Sequence, residues 1–361
     1  MARPDKSPGK INDICYEERS SVVNTKLLAV ALLILVVVTS QQADSFAQTR
    51  RSSARSTPAP PSLMASLPEC DGVAQVKVRQ LLGDVIPKVL ANNPAKLAEV
   101  NASIERFKEK TGLDPRMFEE VALGTQFSYP SEGITKLKTV ALAKGTFSAN
   151  AMVAAGRIAS NGKYREEKYL GKTIYIFDLN ESIKLFGLFN IRIGELAVAP
   201  LDSNTLAMGD PTNIRSVVDV NQAKTRANAE LIEMANRDPN AVIGFGSNMS
   251  AEIIKNIDIG NAPIANDLSN LRKVYGSVGT TAKDVELFIG AKAVNAEAAK
   301  SLGDTLEGLK QLGALFVGRL SGAKGVLAKS ALSNLKIVTQ SNELQIRTSV
   351  AQVDVGPVVG N

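Results

Sequence analysis

Glu166 and Glu167 stand side by side in Tyr164-Arg165-Glu166-Glu167-Lys168-Tyr169, and neighbouring carboxylates are the first residues to test for general acid–base chemistry. The alternation around them predicts a strand, on which successive side chains point to opposite faces. The two acids therefore cannot flank one bond as a glycosidase requires, and they read as the charged surface of a hairpin. Gly244-Phe245-Gly246 invites a second test, because glycines between a strand and a helix can cradle a phosphate. A dinucleotide loop needs its third glycine where Met249 stands, so close packing within a strand explains these glycines more simply. Asp202 and Asp210 suit a turn and a helix cap, respectively. Asn101-Ala102-Ser103, Asn180-Glu181-Ser182 and Asn248-Met249-Ser250 match the glycosylation acceptor pattern, yet Asn101 falls inside a predicted helix and an Asn-rich chain gives such triplets by chance.

What is missing narrows the chemistry further. The chain has no histidine, which excludes Ser-His-Asp and Cys-His catalysis, His-bound zinc and His-bound haem. Of its two cysteines, Cys15 lies before an apolar run and only Cys70 belongs to the part expected to fold, so no internal disulfide, cysteine-rich zinc site or iron–sulfur cluster is expected. No catalytic, cofactor-binding or metal-binding residue is assigned, and no cofactor is expected. The formal charge is +6, and Arg50, Arg51 and Arg55 account for half of it, leaving too little to argue a nucleic-acid surface.

The aromatic residues are few, at 5%, and Tyr164, Tyr169, Tyr175 and Phe177 gather on one predicted hairpin. Tyr175 and Phe177 share one face of their strand, while Ile174 and Ile176 share the other. With the aliphatic face in the core, the aromatic face is a candidate protein interface. The competing expectation is that sheet and helices bury both faces.

These residues are positioned by elements legible from periodicity. Helical spacing covers Val76, Leu81, Leu82, Val85 and Ile86, and again Leu97, Val100, Ile104 and Phe107 between Asn93-Pro94 and Gly112. Asp114-Pro115 opens one helical turn before a strand from Val121 to Phe127. Thr139–Phe147 is a strand, Ser148 caps a helix to about Ile158, and strands Tyr164–Tyr169 and Thr173–Asp178 flank Leu170-Gly171. Ile183, Leu185, Phe186 and Phe189 predict a short amphipathic helix. Glu195–Ala199 and Thr205–Gly209 form a hairpin, and Asp210-Pro211 caps a helix to Val220. Val274–Thr280 and Val285–Ala293 are strands, Asn295 caps a long helix, and Leu335–Thr339 pairs with Leu344–Ser349 across Ser341-Asn342.

At an offset of 147 positions, Ala149/Ala296, Ala151/Ala298 and Gly156/Gly303 are identical, and the element order repeats with them. This predicts an α+β fold of duplicated β-β-α-β-β units, with antiparallel sheets covered by helices. The units are placed at 63–222 and 223–361. Ahead of them, Lys26 and the apolar run Leu27–Val38, ending in Ser45-Phe46-Ala47, have the form of an export signal over residues 1–47. Read as a signal anchor, the run is short of the about 20 residues a span needs. Residues 48–62, rich in Ser, Arg, Ala and Pro, form an expected disordered linker.

Phe107-Lys108-Glu109-Lys110-Thr111-Gly112-Leu113-Asp114-Pro115, Lys163-Tyr164, Leu170-Gly171-Lys172-Thr173-Ile174-Tyr175 and Leu201-Asp202-Ser203-Asn204-Thr205-Leu206-Ala207-Met208-Gly209-Asp210 resemble segments of an exported bacterial protein family of unknown function. The resemblance spans about Leu81 to Val350 and rests on structural punctuation. It implies a location in the periplasm or cell envelope and supplies no site residues. The expected function is a non-enzymatic binding or scaffold module of the envelope, working with another envelope protein and meeting a membrane only through residues 27–38 if these are retained. Two alternatives stand beside it: a carrier of a small apolar ligand between sheet and helices, and a His-free hydrolase using carboxylates.

Overall fold

The computed structural model describes residues 62–358 apart from 112–113, 132–133, 186–188, 223–228, 251, 253 and 255–261. The signal or anchor at 1–47, and all of the expected linker but Ser62, lie outside the described residues. The described strands are β1 (Gly72–Val76), β2 (Phe118–Ser131), β3 (Ile134–Gly145), β4 (Tyr164–Tyr169), β5 (Lys172–Leu185), β6 (Phe189–Pro200), β7 (Thr205–Gly209), β8 (Ala241–Asn248), β9 (Leu271–Thr280), β10 (Asp284–Ala293), β11 (Lys336–Gln340) and β12 (Glu343–Ala351). All join one sheet, in the order β11-β12-β10-β9-β8-β1-β2-β3-β7-β6-β5-β4, and every neighbouring pair is antiparallel. The fold is therefore α+β, as periodicity predicted. Register shifts in β2, β5, β8 and β10 break the ladders, and such bulges supply the local twist that a sheet this wide needs.

The helices are α1 (Pro94–Thr111), α2 (Ala149–Ala159), α3 (Pro211–Asn221), α4 (Ala229–Ala235), α5 (Ala262–Ser269), α6 (Ala296–Val317), α7 (Gly322–Ser333) and α8 (Gln352–Val355). Their starts follow capping chemistry. Ser148, Asp210 and Asn295 each accept a hydrogen bond from a backbone N–H in the first turn of α2, α3 and α6. Residues 78–89 are also helical, wound as a π-helix over Leu81–Val85 just before Pro87, whose missing N–H leaves an earlier carbonyl without its usual donor.

Strand alternation sorts the core onto two faces. On the first, Leu142, Ile174, Ile176, Ala197, Ala199 and Ala207 pack under Ile214 and Val217 of α3, while Leu231, Met234 and Ala235 of α4 and the 3-10 turn Leu63–Ser66 complete the cluster. On the second, Ala143, Phe177, Val198 and Leu206 pack under Ala149 and Val153 of α2. Farther along that second face, α6 covers Ala291, Ala293 and Leu344, and α7 covers Val350.

Three expectations are corrected. Val76 closes a strand, so the first helix starts two residues later; β1 was missed because its five residues carry only three aliphatic side chains. The helix expected around Ile183–Phe189 does not form, since β5 runs on to Leu185 and pairs with β6 from Phe189. Two adjoining strand ends reproduced a helical spacing of apolar residues by coincidence. The repeated unit also begins with three strands: β1-β2-β3 before α2 and β8-β9-β10 before α6, within one sheet.

Candidate functional site

The predicted aromatic interface splits across the sheet. Tyr164, Tyr175 and Phe177 lie on the second face, where α2 covers them. The Tyr164 and Phe177 rings are 5.8 Å apart, Phe177 is 7% exposed, and its ring stands where a Cβ at Gly156 would come within 3.3 Å. The Arg157 guanidinium of α2 lies 5.2 Å over Tyr164 and 5.8 Å over Tyr175, and its Nε donates to the Tyr164 hydroxyl at 2.8 Å. Tyr169 faces the other way, and its hydroxyl donates to the Asp219 carboxylate of α3 at 3.2 Å. The chain's own helices thus occupy both sides of this hairpin. Glu166 and Glu167 also point apart. Glu166 reaches Arg157 at 3.5 Å, and Glu167 pairs with Arg215 of α3 at 2.6 Å, an interaction that holds the Glu167 carboxyl below its ordinary range.

Cys70 is buried, and burial, aided by Asp71 and Glu69, pushes its thiol up to about 12. It is a protonated core residue at neutral pH. A cleft of about 300 Å³ beside it is lined by Glu69, Asp71, Gln126 and Lys138 among others, so its walls are charged. A second cleft of about 180 Å³ between the Pro115–Met117 turn and α2 is lined by Met117, Phe118, Phe147 and Met152, below the about 300 Å³ at which ligand pockets begin. Among the described residues no group of three or more His, Cys, Asp or Glu side chains could hold a metal ion.

A polar surface lies elsewhere. In the second half of the sheet, α6 and α7 both sit on the second face, while α4 packs on the first, chiefly over β8 and β9 with Glu230 reaching Lys292 of β10. Alternation and register then place Tyr275 and Ser277 of β9, Glu286, Phe288 and Lys292 of β10, Glu343, Gln345 and Arg347 of β12, and Lys336, Val338 and Gln340 of β11 on one side. At its centre the buried Tyr275 hydroxyl donates to Glu343 Oε1 at 2.5 Å. Gln345 Nε2 and Arg237, which follows α4, donate to the same oxygen at 2.6 and 2.7 Å. Arg237 also donates to the Tyr275 hydroxyl. Burial raises the Glu343 carboxyl, but these donors outweigh it and hold the group below its ordinary range. Gly290, opposite Tyr275, leaves the space its ring fills: a Cβ there would lie 2.1 Å from the ring.

Around this centre the surface is an ordered polar platform. Phe288 stacks edge-on against Tyr275 at 5.6 Å, and the Arg347 guanidinium lies 4.1 Å above Phe288. Lys273 and Lys292 both pair with Glu230 of α4, the latter at 2.9 Å. Ser277 donates to Asp238 at 3.1 Å. Burial and the neighbouring Asp238 and Asp284 push the Glu286 carboxyl above its ordinary range. The outer row of Lys336, Val338, Gln340 and Arg347 is exposed, with Val338 at 55%. Inside that row, donors, acceptors and both signs of charge are held in place by bonds to one another, an arrangement suited to recognition. Sequence reasoning missed it because no residue in it is unusual alone. The available signal was the Leu335–Ser349 hairpin, whose register puts Glu343, Gln345 and Arg347 on one face.

No family model matches the chain, and no curated protein matches it. Among solved structures, crystal forms I and III of TP0453 are similar, with TM-scores of 0.44 and 0.42 and sequence identities of 10% and 11%. The matches cover 82–83% of this chain and 96–97% of those chains.

Proposed function

We propose that the chain is a non-enzymatic binding module of the cell envelope, and that the platform on β9, β10, β12 and β11 receives a partner protein. The observation that supports this reading is the exposed row of Lys336, Val338, Gln340 and Arg347 beside the buried Tyr275 and Phe288, on the side of the sheet that carries α3 in the first half. Its groups are engaged in structural bonds: Glu343 by Tyr275, Gln345 and Arg237, and Glu230 by Lys273 and Lys292. Such groups position a surface and do not attack a substrate. The envelope location rests on the export-like segment Leu27–Val38.

A photo-crosslinking residue at Val338, in cells that make the protein naturally, tests the reading. One discrete protein adduct is expected, lost when Arg347 and Lys336 are changed to Glu, while the same residue at Ile158 on α2 gives none. Equal labelling from both positions, or native mass spectrometry showing a stoichiometric small apolar ligand, would sink it in favour of a carrier.

A further inference from the structure

The connection between α6 and α7 carries a second surface, on the opposite side of the sheet. The first half of α6 packs on the sheet through Ala299, Leu302 and Gly303, with Leu306 against the same cluster, and beyond it Gly313 meets Leu332 of α7. At about 1.5 Å per residue the remaining turns carry the hairpin well beyond the sheet contact. There Leu312 is 54% exposed, Leu315 70%, Phe316 64%, Leu320 46% and Val326 53%. Leu312, Leu315 and Phe316 follow the three- and four-residue spacing of a single helix face. Large apolar side chains so concentrated mark an interaction site.

The charges decide what meets it. From Gly308 to Leu335 the sequence holds Lys310, Arg319, Lys324 and Lys329 and no carboxylate. Lys310 is paired with Glu307 at 3.4 Å, whereas Arg319, Lys324 and Lys329 form no ion pair among the described residues. A second copy would bring the same positive charge, and the stretch Arg50-Arg51 to Arg55 preceding the described residues is basic too. A protein-binding hot spot would pair aromatic anchors with few lysines, whereas this tip has one aromatic among Leu, Val and Lys. Leucine and phenylalanine projecting past a ring of lysine and arginine match an anionic lipid surface: apolar tips enter the acyl boundary while the basic heads stay with the phosphates.

We infer that the α6–α7 hairpin tip inserts shallowly into membranes bearing anionic headgroups. This surface is independent of the platform on the other face, so the two can be occupied together.

The chain has no tryptophan, so Phe316→Trp in the full-length protein reports from the tip alone. Vesicles containing phosphatidylglycerol should shift its emission to the blue, brominated acyl chains should quench it, and pure phosphatidylcholine vesicles should do neither. Changing Arg319 and Lys324 to Glu should weaken the partition at least about tenfold, at roughly 1 kcal/mol per basic residue near a charged surface. Binding through Leu27–Val38 alone would leave the emission of the introduced indole unchanged and overturn the proposal. So would a blue shift that appears without vesicles, whether it grows with protein concentration, the mark of a second copy, or persists on dilution, the mark of cover by another part of the chain. The far-UV spectrum of each variant shows that it is folded.

Discussion

Glu343 illustrates how one side chain fixes a surface. Replacing it with alanine would leave the buried Tyr275 hydroxyl without its acceptor and Arg237 without its carboxylate, at a cost of about 1–3 kcal/mol in urea unfolding at neutral pH. The sign of the pH dependence follows from the lowered carboxyl. Its contribution is complete above the ordinary value of 4.5 and is lost as pH falls through the folded-state value, so wild type and Glu343→Ala should converge in acid. Glu286 should behave in the opposite sense. Its raised carboxyl penalises the folded state when ionised, so Glu286→Gln should melt higher than wild type at neutral pH, with the difference vanishing as the wild-type group protonates.

At the level of elements, glycine reports where a helix touches the sheet. Gly156 on α2 meets Phe177, and Gly303 on α6 meets Thr339, where a Cβ would come within 2.5 Å of the hydroxyl oxygen. These are the paired glycines visible at the 147-residue offset, so the repeat legible in the sequence marks equivalent helix-to-sheet contacts. Gly244 shows the same effect on β8: a Cβ would lie 2.0 Å from the Ala235 carbonyl oxygen of α4. Gly244→Ala should therefore destabilise by about 1–3 kcal/mol, because backbone must move. Gly308→Ala, in open space within α6, should stabilise by up to about 1 kcal/mol, and calorimetry on the two variants checks both signs. Caps, turns and strands with clear alternation were readable because local chemistry dictates them: Ser148, Asp210 and Asn295 all cap as expected. The Val76 error and the missing helix at Ile183 arose where tertiary pairing overrode a local pattern. The platform was hidden because strand order, which no local pattern encodes, assembles it.

Across the whole molecule, β1 is the seam. It pairs with β2 on one side and with β8 on the other, joining the two meanders through Gly72–Val76. Ala74→Pro would remove a ladder donor in a central strand at a cost of about 3 kcal/mol or more. Hydrogen exchange should then show protection falling together in β3 and β10, whereas loss confined to one side would mean that the halves fold independently. The β1–β8 contact also has a historical reading. Outward from it the order is β1-β2-β3-β7 in one direction and β8-β9-β10-β12 in the other, and its two strands run antiparallel, the relation a two-fold axis through the sheet would impose. A single ancestral unit would have ended in a bare strand edge, open to aggregation. Two copies meeting edge to edge would have closed it as a symmetric dimer, and joining their genes would have made that contact internal.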